Sequence, residues 1–249
     1  MVVGVVLCGG EGKRLRPLTY YFQKVMVPVG GKQKPLLEYV VRLLRYHGIR
    51  DVVMLVNYKA EQIKNYFDDG SRFDVNIQYV MDDPSFKGTG GAILNAFKHG
   101  VLNENDTFVV YYGDILSNIN LSSMLRFHKE KGSVATVGLA RRFTVRVGVA
   151  DLDNDGKVRG FIEKPELEKP VNIGILILEG SVFNLLEELA RNKNNIDLSG
   201  DVIPALIKRG QPVYGYVTDC FWYDVGSTER YEKLDNGLVD EKLGFLLEK

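Results

Sequence analysis

The sequence predicts an α/β fold: a mostly parallel sheet with helices on both faces and a small, more antiparallel lobe. Three observations carry that expectation. Val-rich apolar runs such as 2–8 and 51–57 read as strands buried on both faces. Segments with apolar residues three and four apart, as in 35–48, read as amphipathic helices. The two kinds alternate along the chain, which is the pattern of parallel strands joined by crossover helices.

Residues 2–8 are the first strand. PLLEYVVRLLRYHG (35–48) places apolar residues at 36, 40, 43 and 44 and stops at Gly48, so it is a helix. DVVMLVN (51–57) is the second buried strand. A helix over 60–68, a strand over 76–81, a helix over 89–98 and a strand over 107–112 continue the alternation. Short strands bounded by turns follow at about 133–140, 146–151, 157–162 and 172–178, and this middle stretch is the antiparallel lobe expected over the sheet. Helices over 181–191, 201–209 and 228–236, with a strand over 212–217, complete the order. DLDNDG (151–156) has acidic spacing like a calcium loop, but its twelfth position is Ile162 where a bidentate Glu is required. It reads instead as an Asp-Gly hairpin turn.

Composition removes several function classes. The chain has 249 residues, 45% apolar and 26% charged, an ordinary globular balance that needs no disulfide or structural metal. Lys plus Arg and Asp plus Glu are 32 each, so the zero net charge argues against nucleic acid or an acidic membrane as partner. Residues 1–50 nevertheless hold nine Lys/Arg and two Asp/Glu, a local +7 that suits a small polyanion. Cys8 and Cys220 form no CxxC and no cluster with histidine, which excludes a zinc ribbon and fits a reducing cytoplasm. No apolar run reaches 18 residues, and VVGVVLC has no basic lead, so neither a membrane span nor a signal peptide is expected.

In an open α/β sheet, ligands sit beyond the carboxyl ends of the strands. Loops 9–19, 82–91 and 113–118 occupy those places. The first, GGEGKRLRPLT, offers Gly9, Gly10 and Gly12, where bare backbone could approach phosphate oxygens, and Arg14, whose fork suits a phosphate. It is neither a dinucleotide fingerprint, because Leu15 stands where the third Gly belongs, nor a Walker loop, where Leu7 and Arg14 replace Gly and Ser/Thr. On spacing alone it could equally be a Gly-rich turn with a surface Arg.

This loop, followed by a Lys in QKVMVPV (23–29), resembles the sugar-1-phosphate nucleotidyltransferases. LEYVVRLLRYHGIRDVVMLVNY (37–58), KGTGGAI (87–93), Gly113-Asp114, FIEKP (161–165), VNIGI (171–175) and WYDVGS (222–227) follow in that family's order. The resemblance implies one catalytic domain over 1–249 with a Rossmann-like nucleotide-binding sheet and a sugar-binding lobe. It implies attack by a sugar-1-phosphate on the α-phosphate of a nucleoside triphosphate, with Mg²⁺ as cofactor. Arg14, Lys24 and Lys164 are then catalytic, the first two on the triphosphate and the third on the sugar phosphate. Gly9, Gly10, Gly12, Asp82 and Gly88 face the nucleotide, and Gly148, Glu163 and Asn172 face the sugar. Asp114 and Asp224 hold the metal. Taken singly, Asp114 reads also as a turn residue, Asp224 as the cap region of the last helix, and Lys164 as a solvated strand end.

Asp82 stands where relatives often carry Gln or Glu. A carboxylate only accepts, so it complements the adjacent N1–H and 2-amino donors of guanine rather than uracil or thymine; Asp83 is the other register. The expectation is mannose-1-phosphate guanylyl transfer, with glucose-1-phosphate thymidylyl, uridylyl or cytidylyl transfer as alternatives. From other classes, a non-catalytic nucleotide-sugar-binding paralogue would lack some of Arg14, Lys24, Asp114 and Lys164. A glycosyltransferase would need an Asp-x-Asp at a strand end, and the nearest, Asp151-x-Asp153, falls in the hairpin. Gln23 replaces the family's usual Pro, so the loop before Lys24 is expected to be less rigid. Leu176, Tyr112 and Ser227-Thr228 are further departures, bearing on sugar and base choice. No hexapeptide repeats follow the last helix, so no acyltransferase or allosteric module is expected, and a homo-oligomer stays open.

Overall fold

The computed structural model describes residues 1–145 and 147–248. Seven strands form one sheet: β1 (Val2–Leu7), β2 (Asp51–Val56), β3 (Asn76–Met81), β4 (Thr107–Tyr112), β5 (Ala135–Ala140), β6 (Val171–Glu179) and β7 (Val213–Thr218). Their spatial order is β7-β5-β6-β4-β1-β2-β3. β1 runs parallel to β2 and β4, β2 to β3, and β5 to β7. β6 is antiparallel to both neighbours, β4 and β5.

The helices are α1 (Leu36–Tyr46), α2 (Ala60–Phe67), α3 (Gly88–Lys98), α4 (Leu121–Glu130), α5 (Val182–Asn192), α6 (Ile203–Lys208), α7 (Thr228–Glu232) and α8 (Asn236–Leu243). The period-2 alternation of the strands sorts two cores. Val6, Met54, Val109, Tyr111, Ile175 and Ile177 face a layer that includes α1, α2 and α8. Val5, Val53, Leu55, Phe108, Val110, Leu176 and Leu178 face α3 and α5. This two-sided burial is why the inner strands β1, β2, β4 and β6 are largely apolar, while the edge strands β3 and β7 are not. α1 buries Leu36, Leu37, Val40, Val41, Leu43 and Leu44. The same face carries a buried Glu38, satisfied by Arg42 Nε at 2.7 Å and by the hydroxyl of Tyr66 at 2.5 Å.

Several sequence expectations are corrected. The segments expected at 133–140 and 172–178 as lobe strands are β5 and β6, inside the main sheet. The lobe is smaller: a hairpin of Val149–Leu152 with Val158–Ile162, and a short pairing of Phe143–Thr144 with Glu166–Leu167. The helix expected over 228–236 is two helices, α7 and α8, because Asp235 caps a new start at Gly237 and Leu238. α4 was not anticipated; it begins where the Asn120 side chain accepts from Ser123 N–H at 2.8 Å. The turn of the hairpin is as expected: Asp153 Oδ1 accepts from the N–H groups of Asp155 and Lys157 at 3.1 and 2.9 Å. The strand expected from 146 has its first residue, Arg146, outside the described residues, as is Lys249 at the end of the expected domain.

After β4 the chain turns at Gly113-Asp114 into a short strand, Ile115–Ser117. This strand pairs antiparallel with Trp222–Asp224, with Asp224 opposite Ile115. Two motifs far apart in sequence thereby meet at the carboxyl edge of the sheet.

Candidate active site

The loop after β1 is held close to its neighbours by glycine. A Cβ at Gly9 would lie 2.2 Å from Asp82 Oδ2, so a larger residue there would displace the Asp82 side chain from its present place. Gly12 sits at φ 63°, with the Lys24 Cβ only 3.0 Å from where its own would be. Leu15 is fully buried and anchors the turn that presents Arg14. Thr228 Oγ1 donates toward the carbonyls of Arg14 and Arg16 at 3.2 and 3.1 Å, joining this loop to α7.

Gln23 is completely buried. Its Oε1 accepts from Val25 N–H at 2.6 Å, its Nε2 donates to the Cys8 carbonyl at 2.5 Å, and its N–H donates to Gln62 Oε1 at 2.6 Å. The expected loss of rigidity is therefore corrected: this side chain ties the segment before Lys24 to the end of β1 and to α2. Lys24 Nζ in turn donates to Asp114 Oδ2.

Asp114 and Asp224 are neighbours. The Asp114 carbonyl accepts from Val225 N–H at 3.0 Å. Burial raises the Asp224 carboxyl above its ordinary range, and the charge of Asp114 raises it further, against the opposing pull of Arg230, Lys24 and Arg14. Arg230 Nη1 donates to Asp224 Oδ2. Two largely covered carboxylates side by side, one of them with its ionisation opposed by burial and by its neighbour, are a fitting donor pair for a hard divalent cation. Among the described residues no group of three or more His, Cys, Asp or Glu gathers to hold a metal, so further oxygens would have to come from a ligand such as a phosphate.

Three cavities meet around these groups. The first, about 380 Å³, is lined by Gly9, Gly10, Lys24, Asp82, Gly88, Thr89, Tyr112 and Asp114. Asp82 belongs to it, with its carboxyl raised by burial and opposed by a hydrogen bond from Asn57. Asp83 does not line it; its Oδ1 accepts from Ser85 N–H at 2.7 Å in an exposed turn. Cys8 also lines this cavity, but burial pushes its thiol far up, so it is no nucleophile. The second cavity, about 380 Å³, brings Gly12, Lys13, Arg14 and Lys24 together. The third, about 520 Å³, holds Lys164, Trp222, Asp224 and Arg230. Lys164 reaches it from a left-handed backbone position, φ 49°, rare for a residue with a side chain.

Residues 3–241 match the family model described as nucleotidyl transferase. The chain belongs to the nucleotidyl transferase family. A UTP–glucose-1-phosphate uridylyltransferase of Synechocystis is 33% identical, over 96% of this chain and 64% of its own length. A mannose-1-phosphate guanylyltransferase of Mycobacterium tuberculosis is 34% identical, over 96% and 65%. The chain thus spans a little under two thirds of these relatives. Among solved structures, a Bacillus anthracis protein in complex with sucrose matches with TM-score 0.74 at 24% identity, over 96% of this chain and 95% of that one. HddC from Yersinia pseudotuberculosis matches with TM-score 0.69 at 24% identity, over 94% and 97%. At these identities the structures show a shared fold.

Against this family background, Arg14, Lys24, Asp114, Asp224 and Lys164 come together, as do Gly9, Gly10, Asp82 and Gly88. Gly148, partly buried against Phe161, and the exposed Glu163 lie on the lobe, with Glu163 Oε1 3.5 Å from Lys164 Nζ. Asn172 stands apart: its side chain accepts from Gly174 N–H at 2.9 Å, donates to Ser199 Oγ at 3.0 Å, and borders a separate cavity with Ile203, Ile207 and Tyr214. Sequence reasoning missed Thr89, the pinning by Gln23, and Arg230. For Arg230 no sequence signal existed, because its importance depends on which carboxylate it meets.

Proposed function

We propose that this chain transfers a nucleotidyl group from a nucleoside triphosphate to a sugar-1-phosphate and releases pyrophosphate. The observation that carries it is the meeting of Lys24, Asp114 and Asp224 between cavities that hold Arg14 on one side and Lys164 on the other. The curated relatives named above, each a sugar-1-phosphate nucleotidyltransferase by name, support it.

A phosphate monoester has its second pKa near ~6, so at neutral pH the sugar phosphate is already a dianion and needs no general base. Its oxygen attacks the α-phosphorus, the bond to the β-phosphate bridging oxygen breaks, and the electron pair leaves with pyrophosphate. The difficulty is repulsion between two polyanions, so positioning and charge neutralisation do the work. Arg14 and Lys24 neutralise the triphosphate, and Lys164 orients the sugar phosphate. Asp114 and Asp224 would hold Mg²⁺, which supplies charge neutralisation at the phosphate oxygens. Tyr112 and the start of α3 close the nucleotide cavity, whose low polarity strengthens these contacts.

We assign Asp82 to the base, where its carboxylate would accept from N1–H and the 2-amino group of guanine. GTP is therefore the preferred triphosphate, and mannose 1-phosphate the sugar we pair with it, as the name of the Mycobacterium relative does. Cys8 and Cys220 are both free thiols, which fits a cytoplasmic site of action. The deciding experiment is a matrix of four or five nucleoside triphosphates against several sugar-1-phosphates, read by pyrophosphate release. Preference for UTP or dTTP would overturn the role of Asp82, and no release with any pair would overturn the function.

A further inference from the structure

Arg230 stands on α7, beyond the residues that the sequence brings to notice. Its Nη1 donates to Asp224 Oδ2 and lies 3.5 Å from the Asp224 carbonyl. Its backbone is fixed on the segment that carries Asp224: its carbonyl accepts from the Tyr223 hydroxyl at 2.6 Å, and its N–H donates to Ser227 Oγ at 3.3 Å. The guanidinium and the Asp224 carboxylate are each three-quarters covered, and both line the cavity that Lys164 enters. Asp224 thus commits one carboxylate oxygen to a side-chain cation, as Asp114 does to Lys24.

A divalent cation carries twice the charge of a guanidinium and competes with it for that oxygen. A guanidinium displaced from Asp224 stays tethered by a fixed backbone and remains within the same cavity, beside Lys164. There its planar fork matches a phosphate.

We propose that Arg230 has two positions: on Asp224 when no divalent cation is bound, and on the phosphate of the sugar-1-phosphate when one is. This rests on the proposed reading of Asp224 as a metal ligand and of the Lys164 cavity as the sugar-phosphate side. Arg230 then serves as a second phosphate-binding cation next to Lys164, released only when the metal is in place. The carboxylate is thereby kept compensated between turnovers, and sugar phosphate is bound in strength only by a metal-loaded protein.

The test uses the full chain and two binding measurements without turnover. Mn²⁺ binding to the protein alone is read by water-proton relaxation, and inorganic phosphate binding at saturating Mn²⁺ is read by calorimetry. In Arg230→Ala and Arg230→Gln, Mn²⁺ should bind roughly tenfold more tightly and phosphate roughly tenfold more weakly, the size expected for one charge-assisted contact. Arg230→Lys keeps the charge without the fork and should hold Mn²⁺ affinity near wild type while losing part of the phosphate affinity. A purely structural role would weaken both ligands together. Mn²⁺ affinity unchanged or lowered, or phosphate affinity unchanged, overturns the proposal. Neither measurement needs a nucleotide, so failure of the wild type to make any nucleotide-sugar would overturn the proposed function and would be distinguishable from failure here.

Discussion

Replacing Gln23 with alanine should damage both stability and turnover. Gln23 is fully buried, and its side chain serves two main-chain groups that are themselves buried, the N–H of Val25 and the carbonyl of Cys8, at 2.6 and 2.5 Å. Depriving each of its partner costs about 1–3 kcal/mol, so the pair loses about 2–6 kcal/mol. For a chain of this size each kcal/mol moves Tm by roughly 2–4 °C, and a mid-range loss of ~4 kcal/mol lowers it by roughly 8–16 °C. The next residue is Lys24, whose ammonium sits on Asp114. A shift of about 1 Å there costs on the order of 10²-fold in kcat. Gln23→Pro is the informative companion. The backbone at 23 has φ −64°, which proline accepts, but proline also removes the N–H that donates to Gln62. It should therefore be no better than alanine here. Differential scanning calorimetry and steady-state pyrophosphate release measure both effects. An alanine variant that melts within about 1 °C of wild type and keeps its kcat would refute the assignment of Gln23 as the brace for Lys24.

Asn at either Asp114 or Asp224 keeps the shape and removes a charge, so activity should fall by orders of magnitude, and EDTA should abolish wild-type turnover; full activity of both variants would sink the shared metal site. Arg14→Ala should lower kcat strongly, whereas Lys164→Ala should weaken apparent affinity for the sugar-1-phosphate more than for the triphosphate, and swapped effects would reverse their roles. Asp82→Gln should raise use of UTP or dTTP relative to GTP in kcat/KM, while Asp83→Gln, outside the cavity, should do little. Asp82 also fixes a pH dependence. Its folded carboxyl is held above the ordinary range by burial, so its ionised form opposes folding at neutral pH, and that cost is relieved as pH falls through the raised value. Asp82→Asn should therefore melt above wild type at pH 7, and the gap should close in acid; a gap that widens in acid would contradict this.

Most of the sheet was legible because its strands are apolar on both faces and its helices are amphipathic, two patterns that survive without tertiary information. α4 escaped because its inward positions are Leu121, Met124 and His128, and histidine carries no apolar signal. His128 is buried only because Thr136 and Glu179, on β5 and β6, meet its ring nitrogens at 2.7 and 2.8 Å. The lobe is smaller than its strand pattern suggests because periodicity shows that a segment is a strand but not which sheet it joins. The start of α8 does carry a sequence signal, Asp235 in the capping position, but the helical pattern running into it from α7 masks the break. Of the candidate site, the charged residues could be named from their motifs. What the sequence could not show is which partner each one has: that Gln23 is a buried brace, that Arg230 reaches Asp224, and that Asn172 spends its amide on Ser199.

The reversed direction of β6 has a consequence for how the molecule opens. Ala140 and Val171 face each other across the β5–β6 ladder, so the described residues between them leave the sheet and re-enter it at one point. That excursion carries Lys164, and both strands of its hairpin are largely solvent-exposed. Little apolar surface would be uncovered if it came loose, whereas unzipping β1 or β4 would break both cores. Amide exchange should accordingly find a low-energy opening unit at 143–167 over a slowly exchanging sheet. On the role proposed for Lys164, such a protein would lose and regain its grip on one substrate many times within the lifetime of its fold, with the other half of the site left standing.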